Sequence, residues 1–183
     1  LVGFLFLKTR VLGIPVPGHG KFEEVNLRFY TRHKAADGWR RGVTFVREIV
    51  PKGMVTLVAN ALYNENYATM PMRHPETPNM VRYEWSRAGR WNHIEARYRS
   101  EPTAPAPGSE AEFIAEHYWG YTAQRDGGAI EYQVEHPPWR VWSDPAVTYD
   151  VDGGALYGPD FGRVLAAKPT SAFVAEGSRS EEH

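Results

Sequence analysis

The stretch Val25-Asn26-Leu27-Arg28-Phe29-Tyr30-Thr31 decides the fold. Val25, Leu27 and Phe29 alternate with Asn26, Arg28 and Tyr30, and a period of two belongs to a strand that shows one apolar and one polar face. Ala35-Ala36-Asp37-Gly38 follows as a turn. The next segment, Arg41 to Val50, places Val43, Phe45 and Ile49 on one parity and Thr44 and Glu48 on the other. Together these predict a hairpin. Three further segments repeat the pattern. Val81, Tyr83 and Trp85 alternate with Arg82, Glu84 and Ser86; Ile94, Ala96 and Tyr98 with His93, Glu95 and Arg97; Ile130, Tyr132 and Val134 with Glu131, Gln133 and Glu135. Arg87-Ala88-Gly89-Arg90 and Asp126-Gly127-Gly128 supply turns between such segments. Five alternating runs predict antiparallel sheets, which close into barrels or pack as sandwiches.

Helices interrupt this pattern. Pro51 to Leu62 starts with a first-turn proline and puts Met54, Leu57, Val58, Ala61 and Leu62 on one face. Ser109-Glu110-Ala111-Glu112 is a capping box, with Phe113, Ile114 and His117 at helical spacing beyond it. A short helix is predicted from Asp150 to Tyr157, stopped by Gly158-Pro159, and a last strand from Ser171 to Ala175. The Pro-Ala run Pro102 to Pro107 reads as a stiff surface connector. The expected organisation is one domain over residues 1–178 with a frayed tail over 179–183.

The 183 residues carry sixteen Arg, five Lys and a net charge of −1, which disfavours a general nucleic-acid or anionic-membrane binder. Arginine suits bidentate contact with carboxylates better than amine chemistry. Cysteine is absent, so disulfides, thiol nucleophiles and cysteine–metal sites are excluded. No apolar run spans a bilayer; Val2 to Leu7 is short, is followed by Lys8 and Arg10, and reads as a strand. A cytoplasmic protein is expected. The chain starts at Leu1, and a segment is expected upstream.

Three constellations could carry chemistry. Tyr63-Asn64-Glu65-Asn66-Tyr67 packs aromatic and polar groups where a helix hands over to a strand. A carboxylate among aromatics can titrate high and act as acid or base; the plain alternative is that Asn64 caps the helix and Glu65 is solvated. Asn26, Arg28 and Tyr30 point the same way from their strand: lining a lumen, Arg28 could hold a carboxylate, whereas facing water they form an ordinary solvated face. Glu116-His117-Tyr118-Trp119-Gly120-Tyr121-Thr122 leaves a helix and enters a strand. There His117 is either a hydrogen-bonded core residue or a catalyst, and Tyr118 and Tyr121 either wall a ligand or fill the core. No histidine spacing of the zinc-site kind, no phosphate loop and no nucleophile elbow occurs. No metal or cofactor is expected.

Gly3-Phe4-Leu5-Phe6-Leu7, Phe22 to Tyr30, Leu62 to Tyr67, Glu116 to Tyr121, Val134-Glu135-His136-Pro137 with Trp139, and Ser171 to Ser178 together resemble the YqjF-like family of uncharacterised bacterial proteins. That family is grouped with acetoacetate decarboxylase-like proteins. The resemblance implies a mainly β domain: an antiparallel, cone-shaped β-barrel with two or three packed helices and a pocket inside. It also implies a further N-terminal hairpin in family members, which this chain is expected to lack. Acetoacetate decarboxylases form a Schiff base through a lysine in an aromatic-Pro-Lys-Lys segment after a helix, helped by a glutamate. By position, Tyr121-Thr122-Ala123-Gln124 resembles that segment and Glu65 resembles the glutamate. Ala123 or Gln124 stands where the lysine would be, and a desolvated amine is what makes the ketone reactive. Lys8 and Lys168 are the other amines weighed, and nothing in their spacing directs them to a lumen.

The expectation is a barrel that binds a small organic acid or carbonyl compound without Schiff-base decarboxylation. Its ligand-binding candidates are Asn26, Arg28, Tyr63, His117, Tyr118 and Tyr121. A second reading is a lyase or hydratase-like enzyme with Glu65 as acid/base. A third is an interaction module whose barrel is filled by its own aromatics. The expected partner is a small molecule, with no nucleic acid or membrane, and a homo-oligomer is left open.

Overall fold

The long hairpin predicted from the opening stretch is the frame of the molecule. In the computed structural model it runs as β4 (Lys21–Ala35) and β5 (Gly38–Val50), turning through Ala36 and Asp37 with Gly38 at a φ of 133°. The structure describes residues 1–7, 10–11, 14–15, 21–53, 56, 66–123, 127–133 and 136–177. Before the hairpin come β1 (Val2–Leu7), β2 (Arg10–Val11) and β3 (Ile14–Pro15). After it come β6 (Tyr67–Thr69), β7 (Met72–Arg73), β8 (Glu76–Thr77), β9 (Met80–Arg87) and β10 (Arg90–Arg97). Then follow α1 (Glu110–Ala115), β11 (Trp119–Ala123), β12 (Ala129–Gln133), β13 (Val141–Ser143), β14 (Ala146–Asp150), α2 (Gly153–Tyr157), α3 (Pro159–Leu165) and β15 (Phe173–Ala175).

The protein is mainly β, with mixed sheets. One sheet has the order β1-β4-β5-β11-β12, with β6 also on β5; a second has the order β14-β10-β9-β7, with β8 on β9. The purely antiparallel expectation is corrected, because β11 and β6 both run parallel to β5. Alternation reports which face a residue takes and not the direction of the neighbouring strand. Parallel pairing needs a long return connection, and the stretches before β6 and β11 provide it. Among the described residues the sheets do not close into a barrel. No helix among them is long and apolar enough to cross a membrane.

The second hairpin follows its sequence closely. Ala88 and Gly89 take positive φ values of 49° and 83°, as a two-residue turn between twisted strands requires. Trp85 and Tyr83 face Asn92 and Ile94 across the ladder. Trp85 is fully buried, and with Val25, Leu27, Ile49, Met70, Tyr83, Leu156 and Tyr157 it forms the core between the two sheets and α2. Asn92, buried among them, accepts from the Asp152 backbone N–H (2.8 Å), while the Asp152 carboxylate caps α2 through the Ala155 N–H (3.0 Å). Gly158-Pro159 ends α2 as predicted. It also opens α3, which the sequence reading missed: proline at a first turn is as good a start signal as it is a stop. Of the helix expected over Pro51 to Leu62, the Thr56 N–H donates to the Lys52 carbonyl in the helical pattern, and residues 54–55 and 57–65 lie outside the described residues.

One departure in the long hairpin shapes everything that follows. Leu27 pairs with Arg47, but Arg28 pairs with Phe45, so Val46 is an extra residue in β5. Its carbonyl is taken up by the Asn66 side chain (2.8 Å). A bulge of this kind reverses the parity of the bulged strand. The single apolar face expected for Val43, Phe45 and Ile49 is therefore corrected. Ile49 shares the core face with Val25, whereas Val43 and Phe45 face the other way, beside Tyr30 and Arg28.

Candidate functional site

The face of β4 turned away from the core carries Phe22, Glu24, Asn26, Arg28, Tyr30 and Arg32 in sequence. Its inner half is buried: Glu24, Asn26 and, across the ladder, Glu48 are all at most 3% exposed. The solvated reading of this face is thereby overturned at Asn26. The Asn26 Nδ2 donates to Glu24 Oε1 (2.9 Å), and the Tyr67 hydroxyl donates to Glu24 Oε2 (3.2 Å). Both Glu24 oxygens thus accept, as an ionised carboxylate does. The donation also fixes the Asn26 amide, so that its Oδ1 points elsewhere, and this buried oxygen has no hydrogen-bonding partner among the described residues.

Arg28 lies one step outward. Its buried Nε likewise lacks a partner, and its guanidinium sits 5.9 Å from the centre of the Tyr30 ring. Helix α1 closes this side. Ser109 caps it, its hydroxyl accepting from the Glu112 N–H (3.2 Å), while Glu112 reaches back to the Gly108 N–H (2.6 Å). The capping box thus orients Phe113, and His117 follows one turn later. Tyr30, Phe113 and His117 pack ring to ring, with centroids 4.6–5.3 Å apart. Both nitrogens of the His117 imidazole are buried and, among the described residues, without hydrogen-bond partners. Burial pushes the His117 pKa down, and the positive fields of Arg41 and Arg28 add to this. The Phe113 carbonyl pulls the other way but stands outside hydrogen-bonding geometry. At neutral pH His117 is therefore a neutral imidazole, able to accept at one nitrogen and donate at the other. Burial raises the Tyr30 pKa, with Arg28 opposing, so its hydroxyl stays protonated.

The structure thus gathers Asn26, Arg28 and His117, and adds Tyr30, Glu24 and Glu48. The two glutamates were missed because in alternating strands they read as solvent-facing. The one clue was their position, even-numbered with Asn26 in β4 and opposite it in β5. Two other candidates stand apart from these groups. Tyr121 pairs with Thr44, which pairs with Phe29, so it lies on the opposite face from Arg28. There its ring contacts His33 (5.6 Å) and lies over Gly42. Tyr118 donates to Glu116 and packs against the His136 ring (4.9 Å), with no contact to Arg28 or Asn26. Tyr63 and Glu65 lie outside the described residues.

Two clefts accompany these groups. One of about 480 Å³ opens beside the site, lined by Tyr30, Thr31, Arg32, Arg41 and Phe113. A larger one, about 880 Å³, lies between β14 and the segment after α3, and it is there that Lys168 stands. The Tyr149 hydroxyl in that second cleft already donates to the Leu165 carbonyl (2.9 Å). The smaller cleft has the better claim to chemistry, because two of its lining residues, Tyr30 and Phe113, pack against the His117 ring. Among the described residues no cluster of histidine and acidic side chains is arranged to hold a metal.

The model of the family described as an uncharacterized conserved protein, DUF2071 (COG2071), matches residues 1–179. The chain belongs to the DUF2071 family. No curated protein matches it. The match takes in β1 through β15, and so both the core and the Asn26–Arg28–His117 face.

Proposed function

We propose that this DUF2071 protein binds a small organic acid or carbonyl compound in a cone-shaped barrel of the acetoacetate decarboxylase-like type, and that it does so without Schiff-base chemistry. One observation carries the reading: Asn26 Oδ1, Arg28 Nε and both His117 nitrogens are buried on one side of one sheet with no partner among the described residues. Buried polar atoms are almost always paired, and a cluster of exceptions is what a ligand's own polar groups would satisfy. Arg28 supplies charge-assisted donors for a carboxylate or a polarised carbonyl oxygen. His117 offers a neutral donor beside it. Asn26 Oδ1, set by Glu24, asks for a donor such as a hydroxyl. Glu24 and Glu48 repel a carboxylate from the inner end and so favour its placement at Arg28. Lys168 stands at the other cleft, which is consistent with chemistry that uses no amine.

Calorimetric titration with acetoacetate and with straight-chain fatty acids tests this. Saturable binding is expected, and Arg28→Gln should weaken it by about ten- to a hundredfold, the value of a hydrogen bond to a charged group. Equal affinity in the variant would refute the assignment. Borohydride added with acetoacetate should leave no covalent adduct; an adduct on any lysine would overturn the exclusion of Schiff-base chemistry.

A further inference from the structure

Arg32 and Arg41 face each other directly across β4 and β5, two like charges in one cross-strand pair. Such a pair is unfavourable unless something neutralises it. Among the described residues neither has a carboxylate partner. The other face of the same hairpin is handled differently: Arg40 pairs with Asp37 (2.9 Å) and with Glu131. The two arginines are held by aromatics instead. The Arg41 guanidinium stands 5.3 Å from the centre of the Phe113 ring and that of Arg32 stands 5.5 Å from the centre of Trp39. Stacking of this kind orients the guanidinium and leaves its in-plane donors open. Both residues line the smaller cleft, whose remaining lining is Tyr30, Thr31 and Phe113. The carboxylate of Glu110, at the start of α1, acts on Tyr30 from nearby, but it forms no ion pair with either arginine.

We propose that the Arg32–Arg41 pair is a second anion subsite, and that the ligand of this protein is an elongated molecule with an acidic group at each end. This rests on the proposed function, which places one acidic or carbonyl group at Arg28. Arg28 and Arg32 lie four residues apart on one strand, a rise of roughly 13 Å. Tyr30 and Phe113 lie between them and give an apolar surface for the body of such a ligand. The arrangement orders the face by charge: exposed cations at the mouth, Arg28 half-buried behind them, carboxylates at the inner end. An anion is drawn in along the first two and halted by the third.

The test compares decanedioate, long enough to reach both subsites, with decanoate and with butanedioate, which is too short to span. Affinities are measured by calorimetry on the wild-type chain and on Arg41→Gln, an exposed substitution that leaves the packing of the sheet intact. Decanedioate is expected to bind about tenfold more tightly than decanoate, the worth of one further charge-assisted contact. Arg41→Gln should abolish that advantage, with a smaller loss for decanoate than for decanedioate. Binding of decanoate with no gain for decanedioate overturns the second subsite while the Arg28 site stands. An equal gain in wild type and Arg41→Gln overturns the assignment to Arg41. Failure of both acids to bind removes the proposed function itself.

Discussion

Asn26→Asp is the sharpest perturbation of the buried polar face. The change is nearly isosteric, so packing is preserved. It removes the 2.9 Å donation to Glu24 and substitutes an acidic group at a position with 0% exposure, directly opposite Glu48. Loss of a hydrogen bond to a charged group costs about 1.5–3 kcal/mol. Disrupting a buried set of charged and polar groups brings the total to about 3–5 kcal/mol at neutral pH. Against a whole-protein stability of about 5–15 kcal/mol, that is a large fraction. Urea unfolding monitored by tryptophan fluorescence should show a midpoint lowered by roughly 2 M, taking a slope near 2 kcal/mol per molar. The loss should also depend on pH. The new carboxyl, placed beside Glu24 and Glu48, titrates higher in the folded state than in the unfolded chain. The folded protein then binds more protons in the window above about pH 3.9, so stability falls as pH rises through it and recovers on acidification. Asn26→Leu provides the control: it removes the same donor without adding charge, and should cost less and show a smaller new pH dependence, the part that comes from Glu24 losing its donor. A loss below about 1 kcal/mol for Asn26→Asp, or one identical at pH 5 and pH 8, would refute the electrostatic account of this face.

The depressed pKa of His117 has a measurable sign. The unfolded chain takes up a proton near pH 6.5 and the folded chain only below that, so stability declines as pH falls from about 6.5; His117→Phe should flatten this limb of the melting curve against pH. Gly42→Ala should destabilise the protein by about 1–3 kcal/mol, because the added methyl would lie 2.7 Å from the Trp119 carbonyl and against the Tyr121 ring. Gly53→Ala, where the nearest atom among the described residues is 3.9 Å away, should leave the melting temperature unchanged or raised, and equal effects of the two would contradict the packing described at β11.

Much of the fold was legible because both hairpins obey local rules. The turn at Ala88-Gly89, the faces of β9 and β10, and the Ser109 cap all came from patterns a few residues long. What was not legible depends on distant pairing. Nothing in the period of Trp119 to Ala123 says that this strand lies parallel to β5, and with that register unknown, Tyr121 could not be assigned a face. Arg28 and His117 could be named as candidates from residue type and position. That Arg28 Nε and the His117 nitrogens lack hydrogen-bond partners among the described residues could not, since it is a property of the assembled surroundings. Glu24 and Glu48 were hidden for the opposite reason: acidic residues in an alternating strand read as wet until something covers them.

The extra residue at Val46 has a consequence for how this chain can change. Below it the hairpin answers to the core and above it to the cleft, and the two halves are out of phase by one residue. Substitutions on either side are local events. Deletion of Val46 would be local too: Arg47 on Leu27 and Phe45 on Arg28 would become neighbours in a regular ladder with every face kept, and the carbonyl held by the Asn66 side chain would be lost. The extra residue thus answers to Asn66 and to the local bend of β5, and the face that each of its neighbours takes survives its loss.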